Sequence, residues 1–307
     1  RVYIYQGSTI GINTSSAWLT DGNQTNAQYG ASVSGLGDIN SDGYADVGVG
    51  APFYDNGELD EGRAFGYYGS PSGIGAATAT YESNYIGGEY GTSVASAGDI
   101  NGDGFDDLII GTNGAMYSSY AVFGEASGFK FGFGVIGDTG YRSVSDAGDV
   151  NGDGIDDFTV GNSVIFGRNH DFGTIVDVAN LDGSNGFRLG GLGVMIISAG
   201  DVNGDGFDDV IAGGADVKGD GSGSSYVVFG RASGFSATLE VANLNEKSGF
   251  RVDGAVAGDN TGSSVSGAGD VNGDGFDDLI IGAPGTSPNG DTQAGSSYVI
   301  FGRASGF

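Results

Sequence analysis

Five stretches of this chain repeat the pattern Asp-x-Asn-x-Asp-Gly-x-x-Asp, at residues 38–46, 99–107, 149–157, 201–209 and 270–278. Oxygen-bearing side chains at the first, third and fifth positions, then glycine at the sixth, describe a tight loop that folds carboxylates inward on one hard cation. The glycine permits the positive φ of the reversal. The donors are Asp38, Asn40 and Asp42 in the first copy, Asp99, Asn101 and Asp103 in the second, and Asp149, Asn151 and Asp153 in the third. They are Asp201, Asn203 and Asp205 in the fourth and Asp270, Asn272 and Asp274 in the fifth. The seventh residue (Tyr44, Phe105, Ile155, Phe207, Phe276) offers a backbone carbonyl, and the ninth (Asp46, Asp107, Asp157, Asp209, Asp278) a closing carboxylate. An EF-hand loop closes with Glu at its twelfth position. Here that position holds Val49, Ile110, Val160, Ala212 or Ile281, so the ninth-position Asp must close the site.

Three carboxylates, one amide and one carbonyl approach the roughly 6 to 8 oxygens that Ca²⁺ takes, whereas Mg²⁺ wants stricter octahedral geometry and transition metals want imidazole or sulfur. The competing reading is a set of metal-free Asx-turns. It accounts for one copy, but not for three carboxylates in nine residues five times over, whose unscreened repulsion would destabilise every loop. The expectation is about five bound Ca²⁺ ions.

The flanks of each loop repeat as well. A small, weakly alternating stretch precedes it, as in Ser93-Val94-Ala95-Ser96-Ala97-Gly98, and a four-residue apolar run bounded by glycine follows, as in Leu108-Ile109-Ile110-Gly111. Such runs are strands rather than helices. After a variable segment come an aromatic and β-branched strand, Tyr226-Val227-Val228-Phe229-Gly230, and a weaker one, Gly249-Phe250-Arg251-Val252-Asp253-Gly254. The metal loop therefore joins the first and second of four short strands. Start-to-start spacings of 61, 50, 52 and 69 residues are too regular for chance and too variable for a solenoid. Four-stranded units of this length are the signature of propeller blades, and they are short for independent β-sandwiches. The predicted fold is an all-β propeller or propeller segment spanning 1–307, with repeats at 1–28 (partial), 29–89, 90–140, 141–191, 192–260 and 261–307 (truncated).

Composition excludes several classes. The 64 Gly and 4 Pro follow no three-residue period, which removes collagen, and 18 Phe with 15 Tyr supply a packed core. With 39 acidic against 11 basic residues the net charge of −28 repels nucleic acid and anionic lipid. Absence of cysteine removes disulfides, thiolate zinc sites and thiol nucleophiles together. No apolar run approaches the roughly 20 residues of a membrane span, so direct membrane insertion is not expected. Fifteen of the 39 carboxylates are assigned to the loops, and five Ca²⁺ ions would reduce the net charge to about −18.

The succession aromatic-Gly, strand, Asp-x-Asn-x-Asp-Gly-x-x-Asp, apolar strand, Gly-Ala-Pro resembles the FG-GAP repeat of integrin α-subunit propellers and their bacterial relatives. It is carried by Tyr29-Gly30 through Gly50-Ala51-Pro52, by Tyr90-Gly91 through Gly111, and by Thr261-Gly262 through Gly282-Ala283-Pro284. Tyr141-Arg142 and Leu192-Gly193 depart from the aromatic-Gly pair, and Thr112, Asn162 and Gly214 break the Gly-Ala-Pro. The resemblance implies a propeller, in that family usually of seven blades, with calcium loops on one rim, used for adhesion or ligand binding outside the cell. Residues 1–7 read as an orphan third strand, and 295–307 copy 223–235 except for Ile300 against Val228. Residues near Ala17-Trp18-Leu19 could supply an outer strand that closes a five-bladed ring. The duplicated third strand favours instead an excerpt of a longer array.

Recognition is expected in the segments joining second to third strands, which vary from a tight turn at Asn162-Ser163 to the acidic run 53–61 with Asp55, Glu58, Asp60 and Glu61, and to 216–224 and 285–297. Neutral insertion on a tolerant surface is the plainer alternative, and a solvated acidic loop is the plainer reading of 53–61. The one histidine, His170, sits in a polar turn with no partner for nucleophilic catalysis, so no catalytic residue is assigned. The expected function is a calcium-stabilised, secreted or cell-surface module that binds an extracellular protein or glycan, alongside further repeats of the same polypeptide. Lectin-like stacking of sugar on Trp18, Tyr54 or Tyr117, a purely structural array, and an accessory domain of a polysaccharide-degrading enzyme are the alternatives.

Overall fold

Glycine-bounded runs of β-branched and aromatic residues fold as antiparallel meanders because each run is long enough for one short strand and the glycines turn the chain between them. The computed structural model of the chain describes residues 1–5, 7–9, 11–12, 15–113, 117–137, 143–191, 195–215 and 219–307. The departures at Tyr141-Arg142 and Leu192-Gly193, residue 6 of the orphan strand and residues 216–218 of the fourth variable segment lie outside the described residues. Among those described, helix is limited to three single 3-10 turns, and no helix is long and apolar enough to cross a membrane. The fold is all-β, made of propeller blades.

In the first blade, strands Ser32–Gly37, Asp46–Ala51, Arg63–Tyr67 and Ala77–Glu82 pair in sequence order, each antiparallel to the next. The second blade repeats the plan with Ser93–Gly98, Asp107–Gly111, Ser119–Glu125 and Gly128–Ile136. The third has Val144–Gly148, Asp157–Val160, Ser163–Ile165 and Gly186–Gly190, with Thr238–Glu240 added in parallel at its outer edge. The fourth has Met195–Gly200, Asp209–Ala215, Ser224–Val228 and Gly249–Asp253, and the fifth Ser264–Gly269, Asp278–Ala283 and Ser296–Ile300. In every blade the register shifts by one residue beside the nonapeptide loop, a bulge that sharpens the local twist.

The chain divides into two compact units. The first comprises Arg1–Asp99, Asp103–Gly137 and Asp171–Val176. Its first-blade residues Leu36 and Ile39 pack with Val94, Leu108, Ile110 and Val122 of the second. Val2–Ile4 pairs with Trp18–Thr20, Tyr3 opposite Leu19, and the Trp18 ring stands edge-on to Tyr67 at 4.9 Å. Residues 17–19 are thus engaged with the orphan strand, Ala17 N–H donating to the Ile4 carbonyl at 2.8 Å.

The second unit comprises Ile100–Gly102, Asp138–His170 and Asp177–Phe307. Its first strands Val144–Gly148, Met195–Gly200 and Ser264–Gly269 lie side by side, with cores between successive sheets. One core joins Val150, Val164 and Phe166 to Ile196, Val210 and Ala212; the next joins Val202, Ile211, Val227 and Phe229 to Val265, Leu279 and Ile281. Each fully buried side chain of this kind stabilises by about 1.5–3 kcal/mol. A further clasp follows each Phe-Gly that ends a third strand. Arg231 N–H donates to the Val150 carbonyl and Arg303 N–H to that of Val202, both at 2.9 Å, while Phe235 stacks on Phe187 and Phe307 on Phe250.

Candidate metal loops

Between the first and second strands of each blade the nonapeptide turns on two left-handed residues. The sixth-position glycines have φ of 85° to 91°. The fourth position is left-handed too: Gly152, Gly204 and Gly273 have φ of 74°, 73° and 77°, and Ser41, where the first copy lacks glycine, is held at 56°.

Within this turn the first carboxylate gathers backbone amides. Asp38 accepts the N–H groups of Asp42 and Gly43 at 2.9 and 2.7 Å, Asp99 those of Asp103 and Gly104, and Asp149, Asp201 and Asp270 three each. The fifth carboxylate accepts the N–H of the seventh residue in all five copies, as Asp42 does from Tyr44 at 3.0 Å. Asn40 and Asn203 accept from the N–H of the fifth residue. Oxygens from the first, third and fifth positions thus line one loop, and the fifth-position carboxylates face solvent. Among the described residues no three carboxylate or imidazole side chains are drawn together as a closed metal cluster.

The ninth-position carboxylate is the floor of the loop and is completely buried in every copy. It ties two elements together. One oxygen accepts the N–H of the loop's second residue, Ile39, Val150, Val202 or Val271, and the other accepts the N–H of the glycine that ends the third strand, Gly69, Gly124, Gly167, Gly230 or Gly302. These bonds leave each oxygen a further lone pair. No basic side chain forms an ion pair with Asp46, Asp157, Asp209 or Asp278 among the described residues. Burial pushes the Asp157 carboxyl up to about 9, the charges of Asp149 and Asp153 adding to it against the bonds from Gly167 and Val150. Burial pushes Asp209 up to about 8 against the bonds from Gly230 and Val202, with Asp205 and Asp201 adding, and raises Asp46 too. A buried carboxylate beneath an oxygen-lined loop, lacking any counter-charge, fits a hard divalent cation, which would reverse that shift. The donor set, all oxygen and rich in carboxylate, fits Ca²⁺.

The eighth position has a role that reading the motif one copy at a time does not disclose. The Asp106 carboxylate accepts the N–H of Asp38, the first residue of the preceding loop, at 2.6 Å; Asp208 does the same for Asp149 at 2.8 Å and Asp277 for Asp201 at 3.0 Å. Each carboxylate lies over the glycine before that loop, Gly37, Gly148 or Gly200, where a Cβ would stand only 2.0–2.3 Å from it. The Phe207 and Phe276 rings likewise cover Gly152 and Gly204 of the loop before. The signal was present as Asp-Asp at the eighth and ninth positions of four copies, with Ala45 the exception.

The variable segments are ordered by their own polar groups. In 53–61, Asp55 accepts from Asp60 N–H and Glu61 from Asn56 N–H, while Arg63 pairs with Glu82 and lies 4.4 Å over the Tyr54 ring. These acidic residues brace the loop, although one oxygen of buried Glu61 has no partner. The tight turn expected at Asn162-Ser163 falls one residue earlier, at Gly161-Asn162, between Asp157–Val160 and Ser163–Ile165. Tyr117 packs at 5.0 Å on Tyr120, so Trp18, Tyr54 and Tyr117 all have rings engaged within the protein. His170 is exposed.

Comparison with known proteins bears on the same loops. The FG-GAP repeat family model matches residues 29–67, 90–128 and 261–300, the first, second and fifth copies. The third and fourth are those that depart both from the aromatic-Gly pair, at Tyr141-Arg142 and Leu192-Gly193, and from the Gly-Ala-Pro, at Asn162 and Gly214. Integrin alpha-PS3 of Drosophila melanogaster is 38% identical over 110 residues, 32% of this chain and 9% of that protein. Integrin alpha-5 of Xenopus laevis is 32% identical over 119 residues, 37% of this chain and 11% of that protein. Integrin alpha-IIb of Mus musculus is 32% identical over 127 residues, 40% of this chain and 12% of that protein. The matched part is thus about a tenth of these relatives' length.

Proposed function

We propose that this chain, which carries integrin-α-like FG-GAP repeats, is a calcium-stabilised binding module that works outside the cell. The observation that carries the reading is the fivefold loop whose first, third and fifth positions present oxygens above a buried ninth-position carboxylate, which at Asp46, Asp157, Asp209 and Asp278 has no ion pair among the described residues. In the first copy the ion would be held by Asp38, Asn40, Asp42, the Tyr44 carbonyl and Asp46, and in the others by the corresponding residues. Bound calcium supplies charge neutralisation. The chain's own residues do the rest: the left-handed fourth and sixth positions shape the loop, and the ninth-position carboxylate fixes it to the end of the third strand.

Extracellular modules of this kind bind calcium at about 10⁻⁴ to 10⁻³ M. At about 1 mM calcium and a Kd of about 0.1 mM, each site stabilises the fold by about 1.4 kcal/mol. Five such sites would contribute about 7 kcal/mol, on the scale of a whole domain's roughly 5–15 kcal/mol. Sites this weak fill outside the cell and stay largely empty inside it, which supports a secreted or surface location.

In this reading the ligand is an extracellular protein or glycan, met by the variable segments between second and third strands, and no reaction is catalysed. Thermal unfolding with and without a chelator tests the metal: the melting temperature should fall sharply on chelation and return with calcium, and a curve indifferent to both refutes it. Binding to panels of matrix proteins and glycans, each with and without calcium, tests the ligand class. Silence on both panels rejects the recognition reading in favour of a structural array.

A further inference from the structure

At the end of the second strand Asp46–Ala51 away from its nonapeptide, residues 55–61 of the first blade form another acidic loop. Glu61 is 1% exposed, and its Oε2 lies out of reach of solvent and accepts no hydrogen bond. Among the described residues no basic side chain forms an ion pair with Glu61, and neighbouring Arg63 is already paired with Glu82. The backbone here is pinned. The Glu61 carbonyl accepts Tyr90 N–H at 3.0 Å and the Ser83 hydroxyl at 2.8 Å, and Gly62 N–H donates to the Tyr54 carbonyl at 3.0 Å, which keeps the side chain inside. A buried carboxylate oxygen without a partner is costly. The fold does not require an acid at this seat. In the fourth blade the equivalent residue, whose carbonyl accepts Thr261 N–H at 2.9 Å, is buried Ser222, a neutral hydroxyl.

The Glu61 carboxylate is aimed into its loop. Its Oε1 accepts the N–H of Asn56, the loop's second residue, as buried Asp46 accepts that of Ile39. At the other end Asp55 accepts the N–H of the sixth residue, Asp60, at 2.7 Å, as Asp38 accepts that of Gly43 at 2.7 Å. Both sixth residues are left-handed, Asp60 with φ of 52° and Gly43 with 89°. Asp55 and Glu61 thus each hold the N–H beside the other. The difference lies in the second oxygen of the buried acid: that of Asp46 is satisfied by Gly69 N–H, and that of Glu61 by nothing.

We propose that residues 55–61 hold a hard divalent cation, Ca²⁺ or Mg²⁺, between the buried Glu61 carboxylate and the exposed Asp55 carboxylate. The site is separate from the five nonapeptides and independent of their occupancy. Among the described residues no third acid joins the pair in a cluster. Waters complete the shell where residues 55–59 are exposed, an arrangement open to hard cations held by one or two carboxylates. The ion supplies the charge that Oε2 lacks.

Amide NMR of the full chain, titrated separately with CaCl₂ and with MgCl₂, tests this. The Asn56 and Asp60 resonances should shift saturably with at least one of the two, and the salt that shifts them identifies the ion. Glu61→Gln should abolish those shifts and leave any response of Gly43 and Gly154, in the nonapeptides, unchanged. Asp55→Asn changes an exposed position and keeps an oxygen for Asp60 N–H, so it tests the site even if Glu61→Gln does not fold. It should raise the cation concentration at half-shift by about tenfold or more. Asn56 and Asp60 silent to both salts overturn the proposal, whatever the nonapeptides do. So does a half-shift concentration that either folded variant leaves unchanged. Shifts at Asn56 and Asp60 with Gly43 and Gly154 silent would uphold this site and refute calcium in the nonapeptides.

Discussion

Gly148→Ala places a methyl group where the Asp208 carboxylate sits, with the new Cβ 2.3 Å from Oδ2 and 2.5 Å from Cγ. Asp208 cannot yield freely, because it accepts the Asp149 N–H at 2.8 Å and joins two blades by that bond. The residue also has φ of 68°, which costs an L side chain about 1–2 kcal/mol, less about 0.4–1 kcal/mol recovered from the stiffer unfolded chain. Adding overpacking of about 1–3 kcal/mol brings the expected loss to about 2–4 kcal/mol. Where Asp208 is already alanine the clash is gone, and Gly148→Ala should cost only about 1 kcal/mol. The coupling between the two sites is therefore about 1–3 kcal/mol. Gly269→Ala is the internal control, since it has nearly the same φ, 65°, and open space above it; it should cost about 1 kcal/mol. Denaturant unfolding of the four cycle members and the control, at one calcium concentration, measures all of these. Additivity within about 0.5 kcal/mol, or a Gly269→Ala as damaging as Gly148→Ala, refutes the inter-blade carboxylate.

The other expectations concern the loops and the first blade. Asp103→Ala removes an exposed fifth-position carboxylate, and calcium titration should lose one site while the other four still bind. Burial raises the Asp146 carboxyl to about 6, with Asp156 and Asp208 adding, against the bond from Gly148 N–H. The folded state therefore keeps a proton that the unfolded chain releases near 3.8, so this contribution to stability is complete below that pH and lost as pH rises through about 6. Asp146→Asn should flatten the decline by about 1 kcal/mol, a figure reduced for its partial exposure, when unfolding is compared at the two ends of that window. Arg63 both pairs with Glu82 and covers Tyr54, so Arg63→Lys should cost about 1 kcal/mol in denaturant unfolding, whereas a purely electrostatic pair would tolerate it.

The local chemistry was legible because it is written in consecutive residues. Five fixed side-chain types within nine residues specify a turn, the left-handed glycine at its sixth position and its carboxylate-rich lining, and the glycine-bounded runs beside it read as short strands; the left-handed fourth position emerged only with the structure. Asp46 and its four counterparts were read as closing ligands from spacing alone. That each also ties the loop to the end of the third strand, through Gly69 or its equivalent, joins residues 23 apart in the first copy, a pairing that no local pattern encodes.

Relations between blades were decided by the tertiary structure. Asp106 and Asp38 are 68 residues apart, and their hydrogen bond exists only because two sheets stack with their loops side by side. The same stacking buries Ile211 and Val227 and leaves Ile280 and Val299, of the same or similar type, in water. The sequence determined the repeating unit, its oxygen-rich loop and the acidic excess that calls for cations. Whether a given side chain becomes core, latch or open surface depended on the presence of a neighbouring blade, because burial and hydrogen-bond partnership are properties of the packed pair and not of the repeat.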